Sequence, residues 1–166
     1  MQPASYWIDH LQLIPHPEGG YYRETYRCSD IIHSDALPER FDGDRNASTA
    51  IYFLLPFEHI SHLHKIKSDE LWHFHAGGPL SLYILHDSSL AIRRLGLNLD
   101  NGEFPQVIIP ANSWFGARVT QPDAYTLASC TVSPGFDFQD FEMAIREDVL
   151  RTHPQHRDII FQLTKP

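Results

Sequence analysis

Five of the eleven histidines in this 166-residue chain fall between His59 and His75. The segment that holds them reads Ser61-His-Leu-His-Lys-Ile-Lys-Ser-Asp-Glu70 and continues through Leu71-Trp-His-Phe-His-Ala-Gly77. His62 and His64 are two apart, so on a regular strand their rings leave the same face. Glu70 opens the next antiparallel strand after a short turn. Two imidazoles and a carboxylate brought together from adjacent strands suit Zn, Fe, Ni or Mn, which makes His62, His64 and Glu70 candidate metal ligands. The same groups also suit proton transfer without a metal, with His64 as a general base held in one tautomer by a carboxylate. Both chemistries stay open on the residues alone.

Other side chains compete for roles around that centre. Trp72 and Phe74 share the parity of Glu70, so they are expected to face the same interior, with His73 and His75 turned to the other layer or to solvent. Arg23, near Glu18 and Glu24 on an early strand, can bind an anionic ligand bidentately or pair with a neighbouring strand's carboxylate. Tyr22, Tyr52, Tyr83 and Tyr125 are candidate acids or pocket walls. Asp137 is a candidate for orienting His64, or else belongs to a turn anchored by Phe136, Phe138 and Phe141. Cys130, with no activating group nearby in sequence, reads as a buried strand residue.

These residues need a scaffold, and period-two alternation supplies it. Strands are expected over Tyr21–Cys28, Thr49–Leu55, Ile60–Ile66, Leu71–Ala76, Leu80–His86, Leu90–Leu97, Gln106–Ile109, Trp114–Val119 and Ala124–Ser133. Turn signals such as Gly77-Gly78-Pro79 and Asp100-Asn101-Gly102 separate them. Nine short strands at regular spacing point to an all-β sandwich or barrel. A short helix capped by Ser5 is expected over Ser5–Leu13, and a closing helix over Asp140–Thr152, where Phe141, Ile145 and Val149 recur every four residues. The polar segment from Asp30 to Asn46 is long for a connection and reads as a lid or a poorly ordered loop.

Composition narrows the partners. Thirteen Lys+Arg against twenty-one Asp+Glu give a net charge of −8, which disfavours generic nucleic-acid binding. Two cysteines make no disulfide framework, and the longest apolar run is too short for a bilayer span. The first fifteen residues have neither a basic flank nor a long apolar core, so no signal peptide is expected there. The expectation is one domain over residues 1–166, cytoplasmic, with no membrane or nucleic-acid partner.

The spacing His-x-His, five residues, Glu, six residues, Gly resembles the first motif of the cupin superfamily. Cupins are jelly-roll barrels in which two histidines and a glutamate, with a third histidine from a second motif, hold a metal. Aligning Glu70 puts one extra residue in the turn. The second motif resembles Pro110-Ala111-Asn112, where Asn112 takes the positive-φ place of glycine and Phe115 stands where the histidine should be. The fourth ligand is therefore missing.

A closer resemblance lies in four ordered blocks: His16-Pro-Glu-Gly-Gly-Tyr-Tyr-Arg-Glu-Thr25, Asp69–Gly77, Pro110–Ala117 and Cys130–Phe141. They look like a cupin subfamily known as a domain of unknown function, sometimes termed the fifth cupin family. The likeness runs from about Tyr6 to the last helix. It implies a cupin jelly roll with short N- and C-terminal helices, a homodimer with exchanged N-terminal strands, and no established reaction. That family's pattern is Ser-x-x-His, matching Ser61 to His64, so His64 and Glu70 carry over, while His62 rests on the general cupin motif.

The expected site is the barrel interior. His64 and Glu70 supply the chemistry, with His62, Trp72, Phe74, Trp114, Phe115 and Arg23 against a small-molecule ligand. The expected cofactor is none or one divalent metal ion. The favoured reading is a metal-independent isomerase or epimerase acting on a small polar, sugar-like substrate, with a tyrosine as the acid. A metal-dependent dioxygenase or isomerase and a non-catalytic binder are the alternatives.

Overall fold

A computed structural model describes residues 2–165. In chain order the elements are α1 (Ala4–His10), β1 (Ile14–Pro15), β2 (Tyr21–Arg27), β3 (Ile31–Ile32), β4 (Arg45–Asn46), β5 (Thr49–Pro56), β6 (Ser61–Lys65) and β7 (Asp69–Gly77). They continue with β8 (Leu80–His86), β9 (Ser89–Leu95), β10 (Glu103–Phe104), β11 (Gln106–Ile109), β12 (Trp114–Val119), β13 (Tyr125–Ser133), β14 (Glu142–Met143), α2 (Arg146–Thr152) and α3 (Arg157–Leu163). The nine expected strands are the nine that run four residues or longer. Among the described residues no helix is long and apolar enough to cross a membrane.

Two six-stranded sheets face each other. One has the order β1-β2-β5-β13-β7-β11 and the other β10-β9-β8-β12-β6-β14, with β3 and β4 forming a separate hairpin. Sequence neighbours such as β6 and β7 lie in different sheets, the crossover pattern of a jelly roll. Alternation sends every second residue between the sheets, where Phe53, Leu55, Trp72, Leu82, Ile84, Phe115 and Cys130 form the main core. The helices cover outer faces. Helix α1 lays Trp7 and Ile8 on Leu54 and Leu127, while α2 and α3 bring Val149, Ile160 and Leu163 against Leu63 and Leu85.

Three local expectations are corrected. Helix α1 starts from Pro3, and no side chain caps it. The closing helix is shorter than its periodicity suggests. Residues Phe138–Asp140 form a 3-10 turn, β14 pairs with β6, and α2 starts only at Arg146. Phe141 is drawn from the helical stripe by packing on the His64 ring, at 5.4 Å between centroids, and Ile145 is left exposed. The segment after Asp30 is neither lid nor loose loop. Arg45 is buried and donates two hydrogen bonds to Asp140, at 2.7 and 2.6 Å, and Arg45 also faces the Phe41 ring. A paired, hydrogen-bonded cation under the loop fixes it to the body.

Candidate functional site

A cavity of about 600 Å³ opens at one end of the barrel, walled by β2, β5, β7 and β13, with the residues before β2 and the loop after β13 around its mouth. Two histidines and two glutamates sit in its depth: His16, Glu18, His64 and Glu70. Apolar side chains, among them Ile51, Phe53, Ile66, Trp72 and Phe138, form most of the wall.

The key local feature is a bulge in β6. Ser61 pairs with Ala117 and His64 with Phe115 on β12, so two residues of β6 oppose one of β12. An extra residue reverses the alternation beyond it. Ser61 and His64, three apart, therefore both turn inward to Glu18, and Leu63 is delivered to the helix side. His62 leaves the face it would share with His64 on a regular strand. Its backbone N–H and its ring Nδ1 both meet the Glu18 carbonyl, at 2.9 and 2.7 Å. The His62 ring does not line the cavity; it clamps the loop that presents Glu18.

Glu18, which the sequence offers only as a carboxylate near Arg23, is instead the partner of His64 and Ser61. The turn after His16 carries it over the start of β6. Gly19 has φ +117°, and a Cβ there would lie 2.1 Å from the Ile60 carbonyl oxygen, so only glycine fits. Glu18 Oε1 accepts the Ser61 hydroxyl at 2.8 Å, and Oε2 lies 3.0 Å from His64 Nε2. His64 Nδ1 lies 2.7 Å from the His62 carbonyl oxygen. Both ring nitrogens thus face acceptors, the arrangement of an imidazolium. Burial alone would lower the His64 pKa, but the Glu18 carboxylate outweighs it and the net direction is up. Burial alone would raise Glu18, but His64 outweighs it and the net direction is down. His16, kept neutral by burial, takes the Glu18 N–H on its Nδ1 at 3.3 Å.

Glu70 has the opposite fate. It lines the same cavity, yet among the described residues it makes no ion pair. Burial, reinforced by the Glu18 charge and only partly offset by His64, pushes its pKa up to about 7. Two carboxylates in one cavity are thereby driven apart in acidity.

The structure brings His64, Glu70, Trp72 and Arg23 together on the cavity and leaves the other expected lining residues elsewhere. Phe115 packs behind His64, its ring 4.1 Å away, fully buried in the core. Trp114, next along β12, points outward beneath the C-terminal helices, with Lys65 Nζ 4.4 Å from its ring. Phe74 packs at the edge of the main core, just before the irregularity in the β7–β13 pairing, and does not reach the cavity. Asp137 stands at the mouth and caps the 3-10 turn by accepting from Gln139 N–H, so it does not orient His64. Tyr22 is the tyrosine that reaches the cavity, whereas Tyr125 accepts from Trp7 Nε1 on the outer face.

This donor set does not fit the metal centre expected from the cupin motif. His62 is turned to a backbone carbonyl, both His64 nitrogens are engaged, and Phe115 fills the place of the fourth ligand. Among the described residues no three His, Cys, Asp or Glu side chains are grouped to hold a metal ion.

The chain belongs to the cupin superfamily, in the family described as Cupin superfamily (DUF985), whose pattern matches residues 5–144. It is similar to two solved structures over nearly all of both chains. Protein SO0799 from Shewanella oneidensis is 39% identical, with a TM-score of 0.89, over 100% of this chain and 99% of that one. A hypothetical protein from Leishmania major is 36% identical, with a TM-score of 0.91, over 99% of this chain and 100% of that one. The uncharacterised yeast protein YML079W, from Saccharomyces cerevisiae, is 29% identical over 153 residues, which is 87% of this chain and 76% of the yeast protein.

Proposed function

We propose that this cupin is a metal-independent proton-transfer enzyme of isomerase or epimerase type, acting on a small molecule held in the barrel cavity. The observation that carries the reading is the contrast between Glu18 and Glu70. Glu18 is tied to His64 and Ser61 and stays ionised, while Glu70 faces the cavity, makes no ion pair among the described residues and changes charge near neutral pH. A general base is most effective when its pKa lies close to the working pH. His64 has no free nitrogen to take a substrate proton, so the base assigned from sequence passes from His64 to Glu70. His64 instead supplies a fixed positive charge where negative charge develops on the substrate. Tyr22, on the same wall, is the candidate acid.

The mouth favours a ligand with an anionic group. Arg23 donates to the Leu11 carbonyl and to Gln12 Oε1, both neutral, so among the described residues no carboxylate pairs with its charge. Arg27, by contrast, is bound to Glu24 at 3.0 and 2.6 Å. The apolar walls suit a ligand with a hydrocarbon body better than a fully polyhydroxylated one.

The test is hydrogen exchange in D2O, followed by proton NMR on a panel of oxo-acids, sugar phosphates and ketones that carry a carboxylate. The wild-type protein is expected to deuterate one class of carbon acid, and Glu70→Gln to lose about 100-fold or more of that rate. A panel that stays protonated, or a Glu70→Gln variant as fast as wild type, defeats the proposal.

A further inference from the structure

His16 lines the cavity beside Glu18, and proton transfer by Glu70 leaves it without a role. Its ring is held among aromatic side chains. Tyr22 and Phe141 meet it edge-on, at 4.5 and 5.9 Å between centroids, and Phe138 lies near-parallel at 6.4 Å. Nδ1 takes the Glu18 N–H, so in the neutral ring the proton sits on Nε2. Glu18 Oε2 also lies 3.3 Å from Nδ1, but the same oxygen faces His64 Nε2 at 3.0 Å. Burial lowers the His16 pKa against the pull of Glu18, and the His64 charge adds to the lowering. A neutral imidazole in one tautomer donates from one nitrogen only.

That donor is open. Nε2 meets no hydrogen-bond partner among the described residues. Two unpartnered side-chain atoms there are closed off from solvent, Trp72 Nε1 and His153 Nε2, and His16 Nε2 is not one of them. The cavity thus presents an accessible, fixed N–H together with the Glu70 carboxyl group.

We propose that His16 Nε2–H receives the oxygens of an α-hydroxy ketone or α-hydroxy aldehyde whose C–H bond lies against Glu70. This rests on the proton-transfer reading above and names its substrate class and its oxygen-side donor. A single base isomerises only when it returns the proton to a different carbon, and a vicinal hydroxyl makes the neighbouring carbon the acceptor. Glu70 takes the proton from the hydroxyl-bearing carbon. The C–H pair forms a C=C bond, and the carbonyl pair becomes an oxyanion held by His16 Nε2–H and attracted by the His64 charge. A neutral imidazole can polarise a carbonyl in this way. The Tyr22 hydroxyl gives its proton to that oxygen and takes another from the vicinal hydroxyl. The pair left on the second oxygen forms the new carbonyl, and the C=C pair takes the proton from Glu70 at the former carbonyl carbon. One carbon is oxidised and its neighbour reduced, with no co-reactant. An anionic tail reaches Arg23 at the mouth.

The probe is 5-hydroxy-4-oxopentanoate, which has a short hydrocarbon body and a carboxylate. In D2O at neutral pH, proton NMR is expected to show deuterium entering C5 and conversion to 4-hydroxy-5-oxopentanoate. His16→Phe keeps an aromatic ring without the donor. It is expected to lose about 100-fold in kcat with KM within about three-fold. His16→Gln restores a donor and is expected to recover about ten-fold of that loss. In nitrogen-15-labelled wild type, Nε2 of His16 is expected to carry the ring proton, and its resonance to move downfield when the probe binds. A ring proton on Nδ1, no binding of the probe, an unmoved resonance, or exchange at C5 without conversion overturns the proposal. If His16→Phe fails to fold, the nitrogen-15 spectra decide alone. A moved resonance without deuterium at C5 upholds the oxygen site and defeats the proton-transfer reading. Deuteration that His16→Phe leaves unchanged does the reverse.

Discussion

At the scale of single residues, the site is organised by one imidazole whose two nitrogens are both engaged. Glu18 and His64 form a buried pair, and such pairs depend strongly on each partner. Glu18→Gln would leave His64 without its counter-charge. The Gln amide can still donate to Nε2, so the ring turns neutral rather than remaining a stranded cation. The expected loss is therefore about 2 kcal/mol, below the ~3–5 typical when a buried pair is broken outright. The pH window follows from the two shifts. Glu18 is lowered, so its contribution is present above the ordinary carboxylate value of 4.5 and lost as pH falls through the folded value. His64 is raised, so its contribution is present below 6.5 and lost as pH climbs through its folded value. Urea denaturation should therefore separate wild type from variant most between these limits. An equal difference at pH 6 and pH 9 would refute the ion pair.

At the scale of elements, the turn from His16 to Gly20 matters as much as any strand. Gly19→Ala places a methyl group on the Ile60 carbonyl and forces the loop that carries Glu18 away from β6. We expect a loss of more than about 2 kcal/mol, read by thermal or urea unfolding, together with loss of ligand binding. A fully stable Gly19→Ala variant would show that the turn yields easily. The nine main strands were legible because alternation and turn residues record them directly, and Asn112 does adopt the positive φ, at 59°, assigned to it. The β6 bulge was not legible, because nothing in the side chains of His62 and Leu63 announces an extra residue opposite β12. The sequence order Ser61-x-x-His64 was its one trace. Without the bulge, His62 reads as a partner of His64, and the metal expectation follows from that parity. Glu18 was hidden for a different reason. It lies forty-three residues from Ser61, and such contacts leave no local pattern.

For the molecule as a whole, the cavity sets a dependence on pH. Glu70 has an ordinary value of 4.5 and a folded value of about 7. The folded chain thus holds a proton that the unfolded chain releases, and stability falls as pH rises between those values. The full cost is on the order of 3 kcal/mol above pH 7, at about 1.4 kcal/mol per pH unit. Glu70→Gln removes this slope. The variant is expected to melt several degrees above wild type at pH 8 and close to it at pH 4.5. Equal stabilisation at both pH values would mean that Glu70 is not held neutral by burial. The Glu18–His64 pair and a protonated Glu70 are favourable together only in the mildly acidic range, so greatest stability is expected there. A catalyst working at neutral pH would then operate on the descending side of its own stability curve. That is the usual tension between an activated group and a settled fold.

The bulge in β6 reaches further than the cavity. Within four residues it sends Ser61 and His64 to the Glu18 carboxylate, His62 to the backbone of the N-terminal loop and Leu63 under the C-terminal helices. Those regions are far apart in sequence, yet they share one splice point and are expected to open as one cooperative unit. Leu63→Ala touches only the helix side, and a buried leucine truncation costs about 2–5 kcal/mol. Native-state hydrogen exchange on that variant is expected to show α3, β6 and the Glu18 turn opening together with a single lowered free energy. Loosening confined to α3 would show that the helices are fastened on independently. In a chain built this way, loosening the C-terminal helices would reach the cavity through β6, although no residue of α2 or α3 lines it.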